Sequence, residues 1–150
     1  MTPQDLYTKY PLIFPKPSLW FGAGWLPLVD EACDYIQGAI TSHSRDGTEY
    51  PQLMISFSKE KFGDLRLFYS WDLHGKTYAE SQDFHSFMND MSAVLSFTEY
   101  RSSKTCEETG APGELYVSDT DESTGWYRTL CEAEATKRGF KKVISTVSTP

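Results

Sequence analysis

The chain has 150 residues, 39% of them hydrophobic, with nine Phe, nine Tyr, four Trp and a formal net charge of −7. That is the size of one domain with an aromatic-rich core. No apolar run reaches the ~20 residues of a membrane span, no basic-then-apolar leader opens the chain, and three cysteines, an odd number, argue against a secreted disulfide framework. The expectation is a cytoplasmic protein.

Residues 1–20 hold Pro3, Pro11, Pro15 and Pro17 among Tyr10, Phe14 and Trp20, with Phe21 next. Proline fixes φ and removes ladder donors. This arm is expected to be extended and irregular, its aromatics laid across the core. If exposed, the same aromatics would form an interface. Pro27 suits the first turn of a helix, and Val29, Ala32, Cys33, Ile36, Ala39 and Ile40 follow at helical spacing, so a helix is predicted over about residues 26–42. Cys33 lies on its apolar face and reads as a buried structural thiol. His43 follows near the C-terminal end, where positive charge is favoured.

Leu53, Ile55 and Phe57 alternate with polar residues, which predicts a half-buried strand. Leu65, Leu67, Tyr69 and Trp71 form a second, and Gly63 in the link makes an antiparallel hairpin. Lys59, Lys61 and Arg66 gather there beside Phe62. They suit phosphate contacts and base stacking, and equally an ordinary hairpin surface with Glu60 and Asp64. Thr77 and Glu80 have capping-box spacing, and Phe84, Phe87, Met88, Met91, Val94 and Leu95 continue at helical steps. The second helix is therefore predicted over about residues 78–102, across the hairpin, with its Met and Phe stripe in the core. His85 lies off the centre of that stripe.

Residues 105–139 read as a small strand–strand–helix module in a treble-clef-like order. Gly110 and Gly113 flank Pro112 in a tight turn. Leu115–Val117 is a strand, residues 125–130 its antiparallel partner, and residues 132–138 a short helix stopped by Gly139. A closed zinc site takes four Cys or His ligands in two close pairs. Here the pair positions read Cys106-Glu107-Glu108-Thr109 and Cys131-Glu132-Ala133-Glu134, so each keeps its first cysteine and lacks the second ligand. In one reading Cys106, Cys131 and Glu134 hold zinc with His74 or His85 as fourth ligand. In the other no metal or cofactor is bound, and packing of Tyr116, Trp126 and Leu130 takes the ion's place. Two sulfurs and a threonine make a poor zinc set, and the metal-free reading is preferred. Surviving knuckle geometry would bring Cys106 and Cys131 within disulfide range, although a reducing cytoplasm keeps them as thiols. The tail after Phe140 reads as a frayed end.

Charge is unevenly spread. Residues 107–134 hold eight acids (Glu107, Glu108, Glu114, Asp119, Asp121, Glu122, Glu132 and Glu134) against Arg128, and the remainder is neutral. Acidic turns are often just solvated. An acidic face also attracts a basic protein surface and speeds association at low salt. Phosphate contact by this face is disfavoured, since it needs Lys and Arg. No nucleophile elbow, phosphate-binding glycine loop or H-E-x-x-H motif is present, and the three His are isolated. No catalytic constellation emerges.

Several motifs carry a resemblance: Gly22-Ala23-Gly24-Trp25 followed by Asp30-Glu31-Ala32-Cys33; Lys59-Glu60-Lys61-Phe62-Gly63-Asp64-Leu65-Arg66; the turn over residues 105–113; and Gly125-Trp126-Tyr127-Arg128-Thr129-Leu130-Cys131. With these the chain resembles a family of small, mostly uncharacterised proteins of tailed bacteriophages and prophages that end in a zinc knuckle. It departs from that family at two presumed ligand positions, Thr109 and Glu134. The resemblance spans most of residues 10–139. It implies the fold and a bacterial-host cytoplasm, and no enzymatic activity.

The combined reading is a single α+β domain. Residues 1–104 form a core with a hairpin packed on two main helices, residues 105–139 an integrated, degenerate knuckle, and residues 140–150 a tail. The leading functional expectation is a non-enzymatic phage accessory protein. Its acidic residues Glu107, Glu108, Glu114, Asp119, Asp121 and Glu122 would bind a host or phage protein with a basic surface, as an inhibitor of a nucleic-acid-handling or defence system. The alternatives are a nucleic-acid-associated module using Lys59, Lys61, Phe62 and Arg66, and a small enzyme hidden from motif reading.

Overall fold

A computed structural model describes residues 1–45, 47–77, 80–118 and 124–144, with Gln82 described by its backbone only. Among the described residues the chain is α+β, with four α-helices and two three-stranded sheets. The elements are α1 (Pro3–Lys9), β1 (Leu19–Trp20), α2 (Leu26–His43), β2 (Gln52–Lys61), β3 (Asp64–Asp72), α3 (His85–Ser102), β4 (Glu114–Val117), β5 (Tyr127–Leu130), α4 (Glu132–Arg138) and β6 (Lys141–Lys142).

The N-terminal arm departs from its expected irregular form. Thr2 and Asp5 make a capping box, with the Asp5 carboxylate accepting the Thr2 N–H at 2.7 Å, and Pro3 occupies the first turn, where its missing N–H costs nothing. Leu6 of α1 is buried, and the Tyr7 hydroxyl accepts the N–H groups of Ser18 and Leu19. The arm then joins the first sheet. Ile13 accepts the Ile55 N–H at 2.8 Å, and β1 pairs parallel to β2. Tyr10 and Phe14 enter the core as expected; Trp20 does not, and is 60% exposed.

Helix α2 matches its prediction to within a residue. Leu26, Val29, Cys33 and Ile36 are buried, and burial pushes the Cys33 thiol above its ordinary range. The β2–β3 hairpin turns through Phe62 and Gly63, both at positive φ (53° and 87°), the two-residue loop whose twist suits a hairpin. Its register holds a second departure. Ser56 is an extra residue between the pairs Ile55–Tyr69 and Phe57–Phe68, a β-bulge. The bulge reverses the alternation, so that Ile55 and Ser58 face the core while Phe57, predicted to face inward, lies on the opposite side. The second helix starts later than predicted. The Thr77–Glu80 capping box is present, a 3₁₀ turn spans Gln82–Phe84, and α3 begins at His85. Met91 and Leu95 are buried, with Phe87 and Val94 packed against the same core. Helix α3 also covers the free edge of β3: Ser102 Oγ accepts the Leu65 N–H and Glu99 Oε2 the Leu67 N–H. Edge groups satisfied this way are closed to a further strand.

The module forms as β4–β5–α4, with Gly139 in the left-handed region (φ 72°) ending α4. The tail differs from its frayed expectation where it is described. Lys141 and Lys142 pair as β6 with the other edge of β4, and Lys142 bonds Glu114. Leu130 is fully buried and Tyr116 half-buried, whereas Trp126 is 56% exposed, its ring against Phe140 and the Arg128 guanidinium. No helix among the described residues is long and apolar enough to cross a membrane.

Candidate functional site

The stretches singled out in the sequence meet at one seam. Gly24 donates to the Glu107 carbonyl at 2.7 Å, Gly22 to the Glu107 carboxylate at 2.9 Å, and the Trp25 indole to the Thr105 carbonyl at 2.8 Å. The fit is backbone to backbone. A methyl group on Gly24 would lie 2.3 Å from the Cys106 carbonyl oxygen. From the other side the hairpin tip docks on the module: Thr129 Oγ1 donates to the Gly63 carbonyl at 2.7 Å, and Leu115 fills the space beside Gly63.

The module's acids are largely spoken for within the chain. Glu107, expected on an acidic surface, is 5% exposed and accepts the Arg128 guanidinium at 2.8 and 3.0 Å. Glu108 bonds both Arg128 and Arg138, and the Arg128 hydrogen bond holds its carboxyl below the usual range. Burial works against the charge of Arg128, and the two glutamates outweigh it. Glu114 pairs with Lys142 and Glu134 with Arg138. Asp119, Asp121 and Glu122 lie outside the described residues.

The donor set does not fit zinc. Among the described residues no group of three or more His, Cys, Asp or Glu is placed to hold a metal ion. Glu134 faces Arg138. His74 bonds the Tyr50 carbonyl and Glu49, and His85 opens α3. Cys131 does pack against the small cluster that holds Cys106, with Thr109 Oγ1 3.8 Å from Cys131 Sγ. Burial opposes ionisation of Cys106. The Thr109 hydroxyl and the N–H groups of Cys131, Thr109 and Glu108 outweigh it, and the thiol lies below its ordinary range.

The other predicted group lies on the open face of the first sheet, away from the helices. Lys59 pairs across to Arg66, and Trp20 stands beside Lys59 on β1. One step along, Phe57 sits opposite Phe68 with ring centroids 6.1 Å apart. Paired positions share a face, and rows two residues apart on a strand are separated by about 7 Å. Phe57 and Phe68 are 42% and 49% exposed. At the hairpin end Lys61 lies over the exposed Phe62 ring at 5.8 Å. Asp64, opposite Lys61, is raised above the usual carboxylate range by burial, with Arg66 and Lys104 in partial opposition. Lys59, Arg66 and Lys61 and the exposed rings of Trp20, Phe57 and Phe68 thus line one face, with Arg66 also 3.8 Å from Asp64, while Phe62 in the turn lies against the module side. The sequence reading found Lys59, Lys61, Phe62 and Arg66. It missed Trp20, Phe57 and Phe68, which parallel pairing and the bulge place there. A second exposed aromatic group, Tyr35, Phe97 and Tyr100, lies on α2 and α3, where Arg101 is already paired with Glu31.

No family model, curated protein or solved structure matches the chain. The tailed-phage resemblance therefore rests on the motifs themselves.

Proposed function

We propose that the open face of the β1–β2–β3 sheet binds single-stranded nucleic acid. The observation that carries this reading is the pairing of Phe57 with Phe68 beside the Trp20–Lys59–Arg66 row, all on one uncovered face. Aromatic rings with solvent-facing surfaces stack on unpaired bases regardless of sequence, and flanking Lys and Arg hold the phosphates. A duplex keeps its bases stacked internally and offers such a face little. Lys59, Lys61 and Arg66, the last exchanging its 3.8 Å pairing with Asp64 for phosphate, supply three phosphate contacts, so the logarithm of the binding constant should fall with that of salt with a slope of about −2. The net charge of −7 gives no long-range attraction to nucleic acid, so affinity rests on stacking and short-range pairing.

The acidic-face reading, with a basic partner protein and inhibition of a host system as its outcome, draws no support from the described residues. Glu107, Glu108, Glu114 and Glu134 all have cationic partners within the chain. The test is fluorescence anisotropy with labelled single-stranded DNA, single-stranded RNA and duplex of about 10 nucleotides. Binding to single strands with the salt slope above, lost in Lys59→Glu/Arg66→Glu, supports the proposal. Equal binding to duplex, or none to any oligonucleotide at low salt, refutes it.

A further inference from the structure

Cys106 and Cys131 open the stretches 106–109 and 131–134, which lie on either side of the β4–β5 hairpin. Thr109 closes the first stretch, and Glu134, which closes the second, turns to Arg138 at 3.3 Å. The two cysteines pack in one small cluster, Cys131 against the buried group of Cys106, Leu130 and Ala135. Thr109 Oγ1 lies 3.8 Å from Cys131 Sγ, and the Thr109 hydroxyl and the Cys131 N–H favour the anionic form of Cys106 against its burial. The backbones run side by side, Glu107 N–H to the Thr129 carbonyl at 3.0 Å, which holds the two cysteines in register. Cys106 is fully buried, and Cys131 is half-buried and lines an open surface pocket with Pro112, Glu132 and Thr136. One thiol is therefore open to a reagent in solution, and the other is open chiefly to the first.

We propose that Cys106 and Cys131 form a reversible dithiol/disulfide couple, with Cys131 as the attacking cysteine and Cys106 as the resolving one. The oxidant is a low-molecular-weight disulfide of the glutathione class. The Cys131 thiolate attacks one glutathione sulfur, forming a mixed disulfide and releasing one glutathione thiolate. Cys106 then attacks Cys131 Sγ, forming the internal disulfide and releasing the second. Two electrons pass from the cysteine sulfurs to the oxidant, and the two cysteine protons end on the two released glutathiones. The N–H groups around Cys106 and the Thr109 hydroxyl favour the anionic form of the sulfur that must make the second attack. Cys33 takes no part, because it is fully buried on α2 within the main core.

The experiment treats the folded full-length chain with oxidised glutathione, quenches with acid and measures the intact mass, followed by peptide mapping without reduction. The expected product has lost two hydrogens, carries no glutathione, links Cys106 to Cys131 and returns to the dithiol with dithiothreitol. Cys106→Ser should instead stop at a stable glutathione adduct on Cys131, while Cys33→Ser should behave as wild type. The internal bond should form at least tenfold faster in the folded chain than in urea. A wild-type product that keeps glutathione on Cys131, a link involving Cys33, no oxidation of the folded chain, or a bond formed only in urea would overturn the proposal.

Discussion

Replacing Gly24 by alanine tests the seam where the Gly22–Trp25 stretch meets the Cys106 turn. The added methyl would lie 2.3 Å from the Cys106 carbonyl oxygen, 2.5 Å from the Gly110 nitrogen and 2.6 Å from the Glu107 carbonyl oxygen. All three are backbone atoms, so no side chain can swing away. The seam must open by roughly 1 Å to restore van der Waals contact, and overpacking of this kind costs about 1–3 kcal/mol. Opening also stretches the Gly24–Glu107 and Gly22–Glu107 hydrogen bonds, now 2.7 and 2.9 Å, at about 1 kcal/mol each. The sum is about 3–5 kcal/mol, a large share of the 5–15 kcal/mol typical of a domain. Gly38→Ala is the matched control. It lies in α2 with nothing within 4 Å of the added methyl, and should stabilise by about 0.5–1 kcal/mol. Urea unfolding followed by circular dichroism reads both; with a slope near 2 kcal/mol/M the Gly24→Ala midpoint falls by about 2 M. A Gly24→Ala chain within 1 kcal/mol of wild type would show that the module does not depend on this contact.

Glu107→Ala leaves the buried Arg128 guanidinium with Glu108 alone and its Nε unpaired, and should cost about 1–3 kcal/mol by urea unfolding; no loss would mean that the pair is solvated. Two buried serines should behave oppositely. Ser58→Ala removes the donor to the Ser18 carbonyl (2.7 Å) and should cost about 1–2 kcal/mol, whereas Ser18→Ala removes a hydroxyl with no partner among the described residues and should be neutral or stabilising in the same assay. Stability should decline at both ends of the pH range. Glu108, held below its ordinary 4.5, contributes stability that is present above that pH and lost as pH falls through its folded value. Cys33, pushed above its ordinary 9.0, contributes stability that is complete below pH 9 and lost as pH rises. Urea unfolding across pH should therefore show a shallower acid limb in Glu108→Gln and a shallower alkaline limb in Cys33→Ala.

What the sequence disclosed follows from the range of the forces involved. Helix α2, the hairpin turn at Gly63 and the Gly139 stop of α4 are set by local periodicity and φ preference, and each is where the pattern put it. Helix α1 is also local, but four prolines in the same stretch mask the Thr2–Asp5 capping box beside the first of them. Strands β1 and β6 are two residues each, too short to show alternation, and exist because Leu19 and Lys142 find partners on distant strands. The alternation Leu53-Ile55-Phe57 was misleading because a bulge costs one residue and reverses every side chain after it. Charge counting found the excess of acid in the module but not that Arg128 and Arg138 lie against it. For the same reasons only the basic half of the sheet face was legible. Its aromatic half depends on Trp20 reaching Lys59 and on Phe57 being turned outward.

The open sheet face is tested most directly by backbone amide NMR of the labelled chain titrated with a single-stranded oligonucleotide. Shift changes should concentrate at Trp20, Phe57, Lys59, Arg66 and Phe68, and should be lost together with an affinity drop of about 5- to 150-fold for each stacked base removed in Phe57→Ala or Phe68→Ala. Shifts centred on the β4–β5 module or on the α2–α3 surface, or unchanged affinity in both variants, would contradict it.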